Sequence, residues 1–99
     1  QWIPWIMHET TRRATSAGWK LPDNPFKEYG IYVSAQTDDD FPYVFSYIGD
    51  ENIVIGTDYG HTDTSSEVDA IEVFRNLDTV TEEQKQKVLV DNALALYHL

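Results

Sequence analysis

The sequence predicts an α/β fold, a βαβ core with flanking helices, and three observations carry that prediction. Two β-rich runs, Gly30-Ile31-Tyr32-Val33-Ser34-Ala35 and Asn52-Ile53-Val54-Ile55-Gly56, are almost unbroken in apolarity, as strands covered on both faces are. A helix-sized segment separates them, which is what a parallel pair requires. Helical spacing and cap residues flank both runs. The length of 99 residues suits a single domain, 1–99, and cannot hold two.

The elements follow in chain order. Pro4 to about Ala17 reads as a helix, because proline is tolerated in a first helical turn and Gly18 supplies a stop. Residues 20–29 hold Pro22, Asn24 and Pro25 and read as an irregular loop. After the first strand, Asp38-Asp39-Asp40 precedes a short helix, Phe41 to Ile48, as a solvated cap; the run lacks the spaced ligands and glycine of a calcium loop. Thr57 to Ser66 is loop-like. Val68, Ile71, Phe74 and Leu77 recur at helical spacing, so a helix is predicted from Ser66 to about Asn76. Thr81-Glu82-Glu83-Gln84 has capping-box form and opens a last helix, with Leu89, Ala93, Leu96 and Tyr97 on one face and Asn92 bonding neighbouring backbone. Trp2, Trp5 and Trp19 are expected in a core or an interface rather than in a ligand cage.

Composition narrows the function classes. Seven Lys and Arg against 17 Asp and Glu give a formal charge of −10. That field repels a phosphate backbone and an anionic membrane, so neither nucleic acid nor membrane is an expected partner. The absence of cysteine removes disulfides, thiolate zinc sites and cysteine nucleophiles, and fits a reducing, cytoplasmic compartment. The chain opens on Gln1 rather than Met, and Trp2 to Met7 already reads as packed structure, so the expectation is a piece of a longer polypeptide. Two parallel strands leave unpaired outer edges. Either the remainder of the sheet lies elsewhere in the polypeptide or copies of the chain supply it as a homo-oligomer.

The segment Ile53 to His61 is the one that points to chemistry. A buried strand delivers Asp58 at its C-terminal end, where parallel α/β folds place ligands and metals. A carboxylate there can ligate a divalent metal or take a proton from metal-bound water. Asp58 also has a plain reading as a turn or helix cap, and His61 as a loop histidine bonded to Asp63 or Thr62.

Gly56, Thr57, Asp58, Tyr59 and His61 resemble the strand-eight signature of the amidohydrolase-related family: glycine, serine or threonine, aspartate, an aromatic, proline, histidine. Gly60 stands where proline is common. Gly49 to Val54 resembles the usual lead-in, and Lys87 to Tyr97, with its Asn92-Ala93, resembles the family's closing helix. The resemblance is best from about Phe41 onward. It implies the last strands and helices of a (β/α)8 TIM barrel, here an incomplete barrel, and ancestry among metal-dependent hydrolases and decarboxylases of small carboxylated or aromatic compounds. It further implies one divalent metal, often zinc, with Asp58 as catalytic residue and metal ligand and His61 at the rim of the site as a second ligand. The family's first-strand His-x-His does not occur within these residues, and His8 and His98 are distant in sequence. A catalytic zinc needs about three protein ligands and a water. The chain alone is therefore expected to be inactive. The alternatives are a non-enzymatic assembly module derived from such a barrel and a small-molecule binding domain using the loops after the strands.

Overall fold

In the computed structural model, residues 2–64 and 66–99 are described. Helix α1 (Trp2–Ser16) ends at Gly18, whose φ of 77° lies in the left-handed region. The segment expected to be irregular contains a short helix, α2 (Pro25–Glu28). Asn24 caps it by accepting the Lys27 N–H at 3.1 Å, and Pro25 sits at the first helical position. The same side chain donates Nδ2–H to the Ile48 carbonyl at 2.6 Å and so ties α2 to the end of the next helix. Strand β1 (Val33–Ala35) follows and is shorter than the apolar run that predicts it.

Helix α3 (Phe41–Ile48) starts where predicted, with the Tyr43 N–H donated to Asp40 Oδ1 at 3.1 Å. Strand β2 (Ile53–Ile55) then pairs parallel with β1, Val33 opposite Ile53 and Ala35 opposite Ile55. Helix α4 (Ala70–Arg75) begins four residues later than Ser66. The Glu67 N–H is donated to the Thr57 carbonyl at 2.9 Å, so this stretch closes the preceding loop instead of entering the helix. Of that loop, predicted over 57–66, Ser65 lies outside the described residues.

The last helix forms with the predicted reciprocal cap. Thr81 Oγ1 accepts the Gln84 N–H, and Gln84 Oε1 accepts the Thr81 N–H. It is not uniform. Helix α5 (Glu82–Gln86) passes through a π-helical turn (Lys87–Asp91) into α6 (Asn92–Tyr97). The extra residue of a π turn rotates the following face. Val88 and Asn92 are consequently the buried residues, whereas Tyr97 is exposed.

Alternation along the strands decides which sheet face is covered. Val33, Ala35, Ile53 and Ile55 join the core with Ile3, Phe26, Phe41, Val44, Ile48, Phe74 and Val88. Ser34 is exposed and Val54 only half-buried. The strands were expected to be covered on both faces; within this chain the helices cover one. The tryptophans also depart from a core placement. Trp5 and Trp19 are 67% and 73% exposed, and Trp2 leans on Phe26 with ring centroids 6.3 Å apart. No described helix is long and apolar enough to cross a membrane.

Candidate functional site

Three residues past β2, the chain leaves the sheet in an unusual conformation. Asp58 has a φ of 51°, a region that aspartate tolerates better than most residues. The turn closes when the His61 N–H reaches the Asp58 carbonyl at 3.3 Å. Gly60, the third residue of that turn, has a φ of 95°. Positive φ at this position is what a type II turn demands, and glycine meets it without strain. Proline, fixed near −65°, cannot.

The turn brings the two predicted site residues together. His61 Nδ1 lies 2.5 Å from Asp58 Oδ1. Its partner is thus Asp58, not Asp63 or Thr62 by side-chain hydrogen bond. The Asp58 hydrogen bond, then the Asp58 charge and more weakly that of Asp63, raise the imidazole above its ordinary pKa, against a small opposing desolvation. The Asp58 side chain is mostly shielded and that of His61 mostly exposed. Among the described residues Asp58 is the N-cap of no helix.

Asp58 borders a shallow depression of about 310 Å³ at the C-terminal ends of the strands, with Ser34, Ala35, Gln36 and Gly56. A Cβ on Gly56 would meet Ser34 Oγ, so the glycine leaves room for the serine hydroxyl across the sheet. Ser34 and Gln36 are additions to the residues singled out from sequence. Ser34 was legible as the one polar residue inside an apolar run, and Gln36 as the first residue beyond a strand's C-terminal end.

The other histidines stay away from this corner. His8 Nε2 lies 3.1 Å from the Tyr47 hydroxyl, between α1 and α3. His98 ends α6 with a φ of 56°. Among the described residues no group of three histidine or acidic side chains could hold a metal ion. Asp58 and His61 give two ligands already bonded to each other, short of the set a catalytic zinc requires. The described residues of this chain do not by themselves fit a zinc centre.

No protein-family model matches the sequence, and no curated protein matches it. The structure is similar to the crystal structure of an amidohydrolase from Mycobacterium avium subsp. paratuberculosis K-10. The TM-score is 0.74 at 21% identity, covering 95% of this chain and 24% of that one. The chain thus spans about a quarter of the length of the amidohydrolase it matches. Likeness at this identity establishes architecture: two parallel strands with their helices, the fold of one portion of an amidohydrolase TIM barrel.

Proposed function

We propose that this chain contributes the last strands of a metal-dependent amidohydrolase-type barrel acting on small carboxylated or aromatic compounds, and that it catalyses nothing alone. The supporting observation is Asp58, held at the C-terminal end of β2 above the sheet face that the helices leave uncovered. Barrel enzymes place their chemistry at that end of the strands. In this reading Asp58 would be one of the residues that hold a divalent metal, zinc by family resemblance, and the metal would supply Lewis-acid activation of water. His61 orients that carboxylate from the rim. The remaining ligands come from strands outside these 99 residues.

The test has two arms. The isolated chain with added zinc or manganese should show neither stoichiometric metal uptake nor turnover of amide or carboxylate substrates. In a polypeptide that carries this chain within a complete barrel, Asp58→Ala should abolish activity and lower bound metal while the fold survives. Turnover by the isolated chain as a monomer, or full activity of the Asp58→Ala barrel, contradicts the proposal.

A second reading, a non-enzymatic homo-oligomeric module, is favoured by the two outer sheet edges and by the exposed Trp5 and Trp19. Such edges template strand addition. Light scattering separates the readings, since a monomer at high concentration removes the second.

A further inference from the structure

We propose that the outward face of α1, formed by Trp2, Trp5, Ile6, Glu9, Arg12 and Arg13, is an interface for a second copy of this chain, the two helices packing antiparallel about a two-fold axis near Glu9. Helical geometry places these six positions within about a third of the circumference of α1. Ile3 and Ala14, which α1 buries, lie on the opposite side. Trp2, Trp5 and Ile6 form an exposed apolar patch toward the N-terminal end of the stripe. Arg12 and Arg13 stand exposed toward its C-terminal end. The proposal depends neither on Asp58 nor on how the sheet is completed. A barrel is completed across the sheet edges and the open sheet face, and its helices form an outer ring, so the side of α1 away from the core stays outside.

Charge decides where two copies can meet. Residues 1–30 hold four of the seven basic side chains and three of the 17 acidic ones, a net charge of +1, whereas residues 31–99 carry −11. Two copies therefore repel each other over most of their surfaces, and least where their first thirty residues touch. The stripe is also complementary to itself. Glu9 Oε2 accepts from Arg12 Nε at 3.1 Å, and Glu9 Oε1 accepts from Arg12 Nη2 and from Arg13 Nε at 2.7 Å each. The carboxylate nearest the axis is thus neutralised, and it holds both guanidinium groups in place. Trp5 and Arg12 lie about 10 Å apart along the helix. An antiparallel second copy reverses that order and sets each Trp5 indole against the Arg12–Arg13 pair of the other chain, where a guanidinium stacks on the ring face. A two-fold contact forms both such pairs at once. Helix α1 is 15 residues, about 22 Å, long, so the contact is small and the dimer weak and exchanging.

NMR of the 99-residue chain, diluted from millimolar to micromolar, tests this. The Trp5 indole N–H and the Arg12 and Arg13 side-chain N–H signals should move together with concentration. A mixture of labelled and unlabelled chain should show contacts between the Trp5 ring of one copy and the Arg12 or Arg13 methylenes of the other. Trp5→Ser, a change at an exposed site, should weaken the dimer about tenfold by sedimentation velocity, and Trp19→Ser should leave it unchanged. Signals independent of concentration, or a Trp5→Ser chain that dimerises as the wild type does, overturns the inference. Concentration-dependent shifts confined to the amides of Val33–Ala35 and Ile53–Ile55 also overturn it, and leave the assembly module joined through its sheet edges standing. The barrel reading is judged apart, by metal content and activity of the Asp58→Ala barrel, which no outcome at α1 alters.

Discussion

The side-chain amide of Asn92 is bonded to the main chain of Ile53: Nδ2 donates to the Ile53 carbonyl at 2.7 Å, and to the Asp50 carbonyl at the same distance. Asn92 is 5% exposed and Ile53 fully buried. One residue of the closing helix thereby satisfies two carbonyls at the start of β2, 39 and 42 positions earlier. Lys87, one π turn before it, adds an ion pair to Asp50 at 3.0 Å. Asn92→Ala leaves a buried carbonyl without its donor and should cost about 2 kcal/mol in urea denaturation. Asn92→Asp keeps the shape but offers a carboxylate to two carbonyl oxygens, and should cost more. An aspartate variant as stable as the wild type would show that the amide donor carries no weight.

Phe41 and Phe74 meet edge to face, with ring centroids 4.8 Å apart, and both are essentially unexposed. They join α3 to α4 beneath the covered face of the sheet. Phe74→Ala removes the aromatic pair and leaves a cavity, at a cost of about 3–5 kcal/mol. Small domains have stabilities near the lower end of about 5–15 kcal/mol. The variant should therefore lose most of its cooperative thermal transition by circular dichroism, whereas Phe74→Leu should retain one.

His61 makes stability depend on pH in a stated direction. Its folded pKa is raised above the ordinary value of 6.5, chiefly by the Asp58 hydrogen bond. The contribution is therefore fully present below that value and is lost as pH rises through the folded one. Melting temperature should fall across this window on the alkaline side of 6.5, and His61→Ala should flatten the fall. The side chain is mostly exposed, so salt should shrink the effect. Asp58→Asn should bring the His61 titration, followed by NMR, back toward its ordinary value.

Glu9 gives the opposite sign. Hydrogen bonds from Arg12 and Arg13 are the main cause holding its carboxyl down at about 2, against an ordinary 4.5. Its contribution is present above 4.5 and disappears as pH falls toward 2. The i, i+3 and i, i+4 pairs lie on the surface of α1 and are screened. Glu9→Gln should lower the melt slightly near neutral pH, where the contribution is present, and flatten its acid dependence, so that variant and wild type converge as pH falls toward 2.

What the sequence made legible was local. The two apolar runs, the Asp40 cap and the Thr81–Gln84 capping box each announce an element within a few residues, and each element forms. Asn24-Pro25 carried an equally local signal, an N-cap followed by proline at the first helical position, beneath a loop composition that masked it. The late start of α4 was not local, because the Thr57 carbonyl that holds the Glu67 N–H lies ten residues earlier. Asn92 is the clearest case. Helix propensity assigns its amide to neighbouring backbone, and only the packing of the closing helix on β2 supplies the two distant carbonyls. At the candidate site, Asp58 and His61 were visible as types at a strand end. Their mutual bond depends on the positive φ at Asp58 and Gly60, which no residue pattern states.

Gly60 gives the last test, because it sets the backbone against the family signature. Proline at this position would match the signature, yet the observed φ of 95° is closed to proline and strained for any residue with a Cβ. No atom lies within 4 Å of a Cβ built there, so the penalty is conformational and not steric. Gly60→Ala should cost about 1 kcal/mol, and Gly60→Pro more, because the turn must refold. Refolding would part the Asp58 and His61 side chains, so the His61 titration should move toward its ordinary value in Gly60→Pro and stay raised in Gly60→Ala. A proline variant with wild-type stability and an unchanged His61 titration would mean that the turn adopts another backbone, and that the Asp58–His61 pair does not depend on it.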